Sequence, residues 1–166
     1  MMDLAELFDI APFDWYSIGT ALLCGGVVGL ERQLRGKPVG IRTSILIVLG
    51  TYIFIAASIS VSSHMTDPSR IIGQVITGIG FLGAGVMLAR KGVVVGVTSA
   101  AAIWVLASLG VCIAIGKLFV AFKFSLIVVF VLAGVDLLEE YSQAFSRGVY
   151  RKVKNLIGSG DKLSDD

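Results

Sequence analysis

The chain has 166 residues, enough for one domain, and 55% of them are hydrophobic against 16% charged, well under the roughly 25% charged content of soluble domains. Mean hydropathy is +0.87 and the charges are clustered, which excludes an ordinary soluble domain and implies a membrane protein. The formal net charge of +2 identifies no partner by itself and gives no basis for nucleic-acid binding.

The N-terminal stretch MMDLAELFDIAPFDW is acidic, with Asp3, Glu6, Asp9 and Asp14 and neither Lys nor Arg. A secretory signal begins with a basic segment, so residues 1–14 read as an acidic extracytoplasmic N-terminus. A spanning helix takes about 20 mainly apolar residues, and five segments approximate that: Trp15–Leu30, Ser44–Ser62, Ile71–Ala89, Val97–Gly116 and Leu118–Val135. The expected fold is therefore an all-α polytopic bundle of five transmembrane helices over residues 15–138. ERQLRGKPVGIR breaks the first pair as a charged turn with Gly and Pro, HMTDPSR is a polar loop, and ARKGVVVG reads as a short basic turn. Gly116-Lys117 alone joins the fourth and fifth segments, which makes a tight hairpin. Lys123 lies near the start of the fifth, where it snorkels.

Lys and Arg placement sets the orientation. With the C-terminus inside, eleven of the fourteen basic residues face the cytoplasm, leaving Arg70, Lys117 and Lys123 outside. Five spans then put the N-terminus out and the C-terminus in. Residues 139–157 carry Phe145, Val149, Val153 and Leu156 at helical spacing beside a basic face. They read as a cytoplasmic tail helix on anionic membrane lipid, or as a plain juxtamembrane stop, and 158–166 as a disordered end.

GLERQLRGKPVGIRTS and GVMLARKGVVVGVTS echo each other at a shift of 56 positions, pairing Gly29 with Gly85 and Gly40 with Gly96. Each joins an inward helix to an outward one, so a parallel repeat of helices 1–2 and 3–4 is one reading and coincidence between two Gly-rich turns the other. Thr43-Ser44 and Thr98-Ser99 suit helix N-caps.

Residues 78–92 read GIGFLGAGVMLARKG. In lipid, helices associate through close backbone packing and hydrogen bonds, which small residues permit. Gly25 and Gly29 on the first helix, and Gly78, Gly80, Gly83 and Gly85 on the third, are the expected packing positions. The fourth helix offers Ser108, Cys112 and Gly116. The sharper alternative is a broken third helix whose carbonyls bind a cation. Gln74, with Thr77 one turn below, is expected to bond to a neighbouring helix, or else to contact a substrate. Cys24 and Cys112 read as small packing residues.

Glu31 and Asp136 are the notable acids, at the inner ends of the first and fifth spans near Arg32, Arg42 and Arg90. They read as an ion-pair network, or as a weak carboxylate pair for Mg²⁺ or H⁺, since Mg²⁺ binds through one or two carboxylates. The surrounding arginines oppose cation attraction, and no acid lies at mid-span, where transporter sites sit. His64 and Asp67 are a poor metal set. There is no nucleophile–base pair and no HExxH, so no enzyme and no resident cofactor are expected.

GLERQLRGKPVGIRTSILIVLGTY, DPSRIIGQVITGIGFLGAGVML and GVTSAAAIWVLASLG together resemble the bacterial MgtC/SapB family, from about Trp15 to Asp136. The resemblance implies a multi-pass protein of the bacterial inner membrane with five spans, a link to growth at low Mg²⁺ and, in pathogens, to virulence through survival in phagocytes. It further implies a regulator acting on other membrane proteins, such as the F-type ATP synthase, although the family once carried the label of Mg²⁺ transporters. Matched by position, its motif residues are Glu31, Arg32, Gly36, Gly40, Arg42, Thr43, Asp67, Arg70, Gln74, Gly78, Gly80, Gly83, Gly85, Thr98 and Trp104. Many relatives continue into a soluble cytoplasmic domain where this sequence carries its short basic tail. The expected protein is thus a homo-oligomeric inner-membrane regulator joined through Gly-rich faces; the alternative is a Mg²⁺ or other cation transporter or channel.

Overall fold

The computed structural model describes residues 8–61, 68–90 and 93–141. Five helices follow in chain order: α1 (Trp15–Leu34), α2 (Ile41–Val61), α3 (Pro68–Val86), α4 (Val97–Ala114) and α5 (Leu118–Tyr141). Each expected segment is a helix, with ends that differ by a few residues. The stretch expected as a short basic turn is a two-stranded antiparallel hairpin, β1 (Leu88–Arg90) and β2 (Val93–Val95), in register Leu88↔Val95. Three consecutive valines favour extended backbone there. His64, Asp67, Lys91 and the tail beyond Tyr141 lie outside the described residues, and with them most of the expected tail helix.

Helices α2 to α5 are each long and apolar enough to cross a membrane. The chain is a multi-pass membrane protein. Helix α1 has a spanning length of 20 residues but ends in the charged run from Glu31.

The chain divides into two compact units, Met1–Val129 and Phe130–Asp166, and α5 crosses the division. In the first unit the core is built by α1, α2 and α4: Ala21, Cys24 and Val28 meet Val48, Tyr52 and Ile55, with Ile103, Leu106 and Leu109. From α5, Ala121 and Ser125 are buried as well. Helix α3 takes almost no part. Only 6% of its spanning window is buried, against 44% for α4.

Two glycines four residues apart bring α1 and α2 together. A Cβ on Gly25 would lie 2.6 Å from Ile45 Cα, and one on Gly29 2.6 Å from Ile41 Cα. The partners are also four apart and run in the opposite sense, so the helices are antiparallel and touch backbone to backbone. Gly110 does the same for α4 against α2, where a Cβ would lie 2.6 Å from both Thr51 Cβ and the Val48 carbonyl oxygen. Helix α2 is therefore clasped on two sides by helices that lack side chains at the contact. By contrast, a Cβ on Gly78, Gly80 or Gly85 meets nothing within 4 Å, and one on Gly83 meets only Ala100 at 3.6 Å. The close packing expected of the third helix's glycines is not made among the described residues. Gly110 is the packing position the sequence reading missed; Ser108 is exposed and donates to the Val105 carbonyl.

Both α1 and α4 end in the same way. Gly36 (φ +62°) and Gly116 (φ +76°) take the left-handed conformation. The amides of Lys37 and Lys117 reach back to the carbonyls of Arg32 and Cys112, and those of Gly36 and Gly116 to Gln33 and Ile113. These are Schellman ends, in which glycine avoids the Cβ penalty of positive φ.

Helices α2 and α4 begin one residue after Gly40 and Gly96, the glycines paired in the 56-residue echo. Thr43-Ser44 and Thr98-Ser99 consequently fall inside the first turns and are not caps. The residue before α4 is Gly96, with no side-chain cap. Of these residues only Ser44 and Ser99 are buried; the Ser44 hydroxyl donates to the Val39 carbonyl and that of Ser99 accepts from Arg32.

Candidate functional site

The residues with the sharpest chemistry converge where α1 ends. Pairing of Gly25 with Ile45 and Gly29 with Ile41 sets the depth of α1 against α2. At the far end of α1, Asp14 lies level with Tyr52, and its amide donates to the Tyr52 hydroxyl at 3.2 Å. Helix α2 runs nine residues further to Val61, about 13 Å at 1.5 Å per residue. Helix α1 is thus displaced along α2, and its last turns reach past the start of α2. That displacement carries Glu31 and Arg32 to the junction of α1, the following turn and the first turn of α4.

Arg32 is 2% exposed, and its Nη2 donates to the Ser99 hydroxyl at 2.7 Å. Its Nε is buried with no hydrogen-bond partner among the described residues. Ser99 sits in the first turn of α4, so this bond ties the end of the first hairpin's helix to the start of the second's. A guanidinium out of water is costly unless its donors are matched, and ionisable groups within membrane segments mark functional positions by default. Glu31 is also buried, and its Oε1 lies 2.9 Å from Arg35 Nε, one helical turn on. Its Oε2 has no hydrogen-bond partner among the described residues.

The turn after α1 is held hard against this cluster. Val39 adopts φ +67°, which is unfavourable for a β-branched residue, and its side chain is buried. Its carbonyl accepts from the fully buried Ser44 hydroxyl at 3.2 Å. Gln33 Oε1 accepts from the Ile41 amide at 3.3 Å, and a Cβ on Gly40 would meet that same oxygen at 3.0 Å. A strained residue fixed by its surroundings is a usual feature of sites where geometry matters.

Of the sequence-predicted residues, Glu31, Arg32 and Gly40 belong to this cluster. Arg42 and Thr43 are exposed on the first turn of α2 beside it. Arg70, Gln74 and Thr77 do not join it: all three are exposed on α3, whose first turn lies at the opposite end of the bundle. Thr77 spends its hydroxyl on the Gly73 carbonyl of its own helix at 2.9 Å. The bond expected from Gln74 to a neighbouring helix is not made among the described residues; its side chain instead lines a groove between α2 and α3. Asp136 falls in the second unit and its side chain lies outside the described ones, as does the expected carboxylate pair with Glu31. Among the described residues no group of three or more His, Cys, Asp or Glu is placed to hold a metal ion. Arg35 and Ser99 were missed as members of the site. The signal for Arg35 was its spacing of four from Glu31; nothing in the sequence pairs Ser99 with a residue 67 positions earlier.

At the other end of α1, Asp14 is the N-cap, accepting from the Ser17 amide at 2.8 Å. The Ser17 hydrogen bonds hold its carboxyl below the ordinary value, with help from the Tyr52 hydroxyl, against a smaller upward push from burial.

The chain matches the MgtC family over residues 18–141, three quarters of its length and all of the cluster just described. The chain belongs to the MgtC family. It is 46% identical over 103 residues to the Escherichia coli K12 protein named "Putative magnesium transporter YhiD", a match covering 58% of this chain and 47% of that protein. It is 39% identical over 137 residues to Protein SapB of Bacillus subtilis, covering 78% and 58%. It is 40% identical over 97 residues to Protein MgtC of Salmonella typhimurium LT2, covering 58% and 41%. The chain spans about half the length of these curated relatives. No solved structure matches it. Within the MgtC family, then, the Glu31–Arg32 cluster belongs to the shared membrane portion.

Proposed function

We propose that this MgtC-family chain is an inner-membrane regulator that acts during growth at low Mg²⁺ by engaging another membrane protein, such as the F-type ATP synthase, and that it catalyses no reaction. The observation that carries this reading is the state of the Glu31–Arg32 cluster. The guanidinium of Arg32 is buried, and the carboxylate of Glu31, its neighbour along the chain, is already ion-paired to Arg35. A divalent cation entering there meets two positive groups in a low-dielectric setting, where like charges repel strongly. A cluster of this kind braces a turn; it does not draw Mg²⁺. The exposed glycine face of α3 supports a membrane partner or a second copy, because small residues let helices approach. The N-out, C-in orientation and the homo-oligomer belong to this proposal, as does a virulence role in a pathogenic host.

The second reading is cation transport. It is favoured by the unpartnered Glu31 Oε2 and by the printed name of the Escherichia coli relative. Purified chain in sealed liposomes with a Mg²⁺-sensitive dye inside separates the two. Regulation predicts no flux above protein-free liposomes, and co-purification of a membrane partner from cells grown at low Mg²⁺. Robust flux that Glu31→Gln abolishes overturns it.

A further inference from the structure

A groove of about 720 Å³ lies between α2 and α3. Its α2 wall includes Leu46, Gly50 and Phe54, and its α3 wall Gln74, Gly78 and Leu82. It exists because both walls lose their side chains at one level: a Cβ on Gly50 or Gly78 would meet nothing within 4 Å. Neither glycine takes part in helix packing among the described residues. The groove lies apart from the Glu31–Arg32 cluster and shares Gly78 with the α3 glycine face on which the function proposed above seats a partner.

Two features define its occupant. The first is size. The α3 wall runs from Ile71 to Leu82, about 16 Å of helix at 1.5 Å per residue. At about 720 Å³ the groove falls within the range of about 300–1,000 Å³ typical of small-molecule sites. The second is polarity. The lining is mainly apolar, with Thr51 in its middle, whose buried hydroxyl has no hydrogen-bond partner among the described residues. Gln74 stands towards one end, where α3 begins and α2 finishes. Its amide has no partner among the described residues. Ser58, at the same end, donates its hydroxyl to the Ile55 carbonyl of its own helix. An exposed amide that faces lipid without a partner is costly, and an empty slot forfeits dispersion contacts. The bilayer around the chain supplies molecules with a carbonyl at one end of a long hydrocarbon.

We propose that the α2–α3 groove binds one acyl chain of a membrane glycerophospholipid, with its ester carbonyl accepting from the Gln74 amide and its hydrocarbon lying over Gly50 and Gly78.

The test is photolabelling of the full chain in phosphatidylethanolamine/phosphatidylglycerol nanodiscs containing a phosphatidylethanolamine with a diazirine in one acyl chain. Adducts are mapped by mass spectrometry. The proposal expects label concentrated on residues 43–58 and 71–82, above the level on Phe119, Phe124 and Ile127, which are exposed on α5. Gly50→Leu and Gly78→Leu fill the slot without meeting backbone, so label should fall to the α5 level while thermal stability stays at the wild-type value. An ester-linked lipid should compete for the site better than its ether-linked analogue, a difference that Gln74→Leu removes. That competition in the wild-type chain requires no variant to fold. Even labelling of all exposed helices, equal competition by ester and ether lipids, or a crosslink between two copies through Gly78 would each overturn the proposal. The readout involves neither growth nor flux, so its failure leaves the regulatory reading standing.

Discussion

Adding one methyl group at Gly25 should damage this protein, and adding the same group at Gly78 should not. Both glycines sit inside helices, so Ala gains about 1 kcal/mol of helix propensity at either position. At Gly78 the new Cβ meets nothing within 4 Å. At Gly25 it meets Ile45 Cα at 2.6 Å, and the Ile45 amide nitrogen and Ser44 carbonyl oxygen at 2.9 Å. Ordinary contact begins at 3.4 Å, so α1 and α2 must part by about 0.8 Å, and the obstacles are backbone atoms that no rotamer change can move. Overpacking of this kind costs about 1–3 kcal/mol. Separation also loosens Gly29 on Ile41, one turn away, so the net change at Gly25 should be a destabilisation of about 1–2 kcal/mol after the propensity gain. Both variants can be followed by thermal unfolding of detergent-solubilised protein, monitored by size-exclusion chromatography with fluorescence detection. Gly25→Ala should melt below wild type and Gly78→Ala at or above it. If the two melt together, the reasoning that assigns packing to α1 and not to α3 is refuted.

Gly110→Ala should behave like Gly25→Ala, because its Cβ would meet the Val48 carbonyl oxygen at 2.6 Å. Ser99→Ala removes the one hydrogen bond described for a buried guanidinium and should cost about 1.5–3 kcal/mol in the same melt. Arg32→Met exchanges the buried charge for an apolar side chain of similar length and should regain that stability, while failing to support growth at low Mg²⁺; support at the wild-type level would remove Arg32 from the functional site. Asp14→Ala should cost about 1 kcal/mol as a lost N-cap. Since folding lowers the Asp14 pKa, its stabilisation is complete above the ordinary carboxylate value of about 3.9 and disappears as pH falls through the folded value. The gap between wild type and Asp14→Ala should therefore close in acid; a gap that persists would mean that the carboxylate is not the acceptor.

The five helices could be read from the sequence because hydrophobic run length and the Gly, Pro and charged breaks are local properties. Gly36-Lys37 and Gly116-Lys117 behave as their residue types dictate, since a helix end needs only its own last turn to be satisfied. The identity of the site was half legible. Glu31 and Arg32 stand out as charges at the end of an apolar run, and Arg35 lies at the spacing of an ion pair. Arg42 and Thr43 carry the same sequence signal as Arg32 yet remain on the exposed surface.

What sequence could not supply is which surfaces meet. GIGFLGAG looks more like a packing motif than CGGVVG does, yet Gly25 and Gly29 touch α2 while Gly78 and Gly80 meet no neighbour among the described residues. A glycine records that a side chain is missing; whether a neighbour fills the gap depends on the offset and rotation of a second helix. That offset follows from contacts at Ile41, Ile45 and Tyr52, distributed across α2, and it also brings Arg32 to Ser99. Local energetics determined the elements of this protein, and only the mutual fit of helices distant in sequence decided which charges are buried and which glycines lie open.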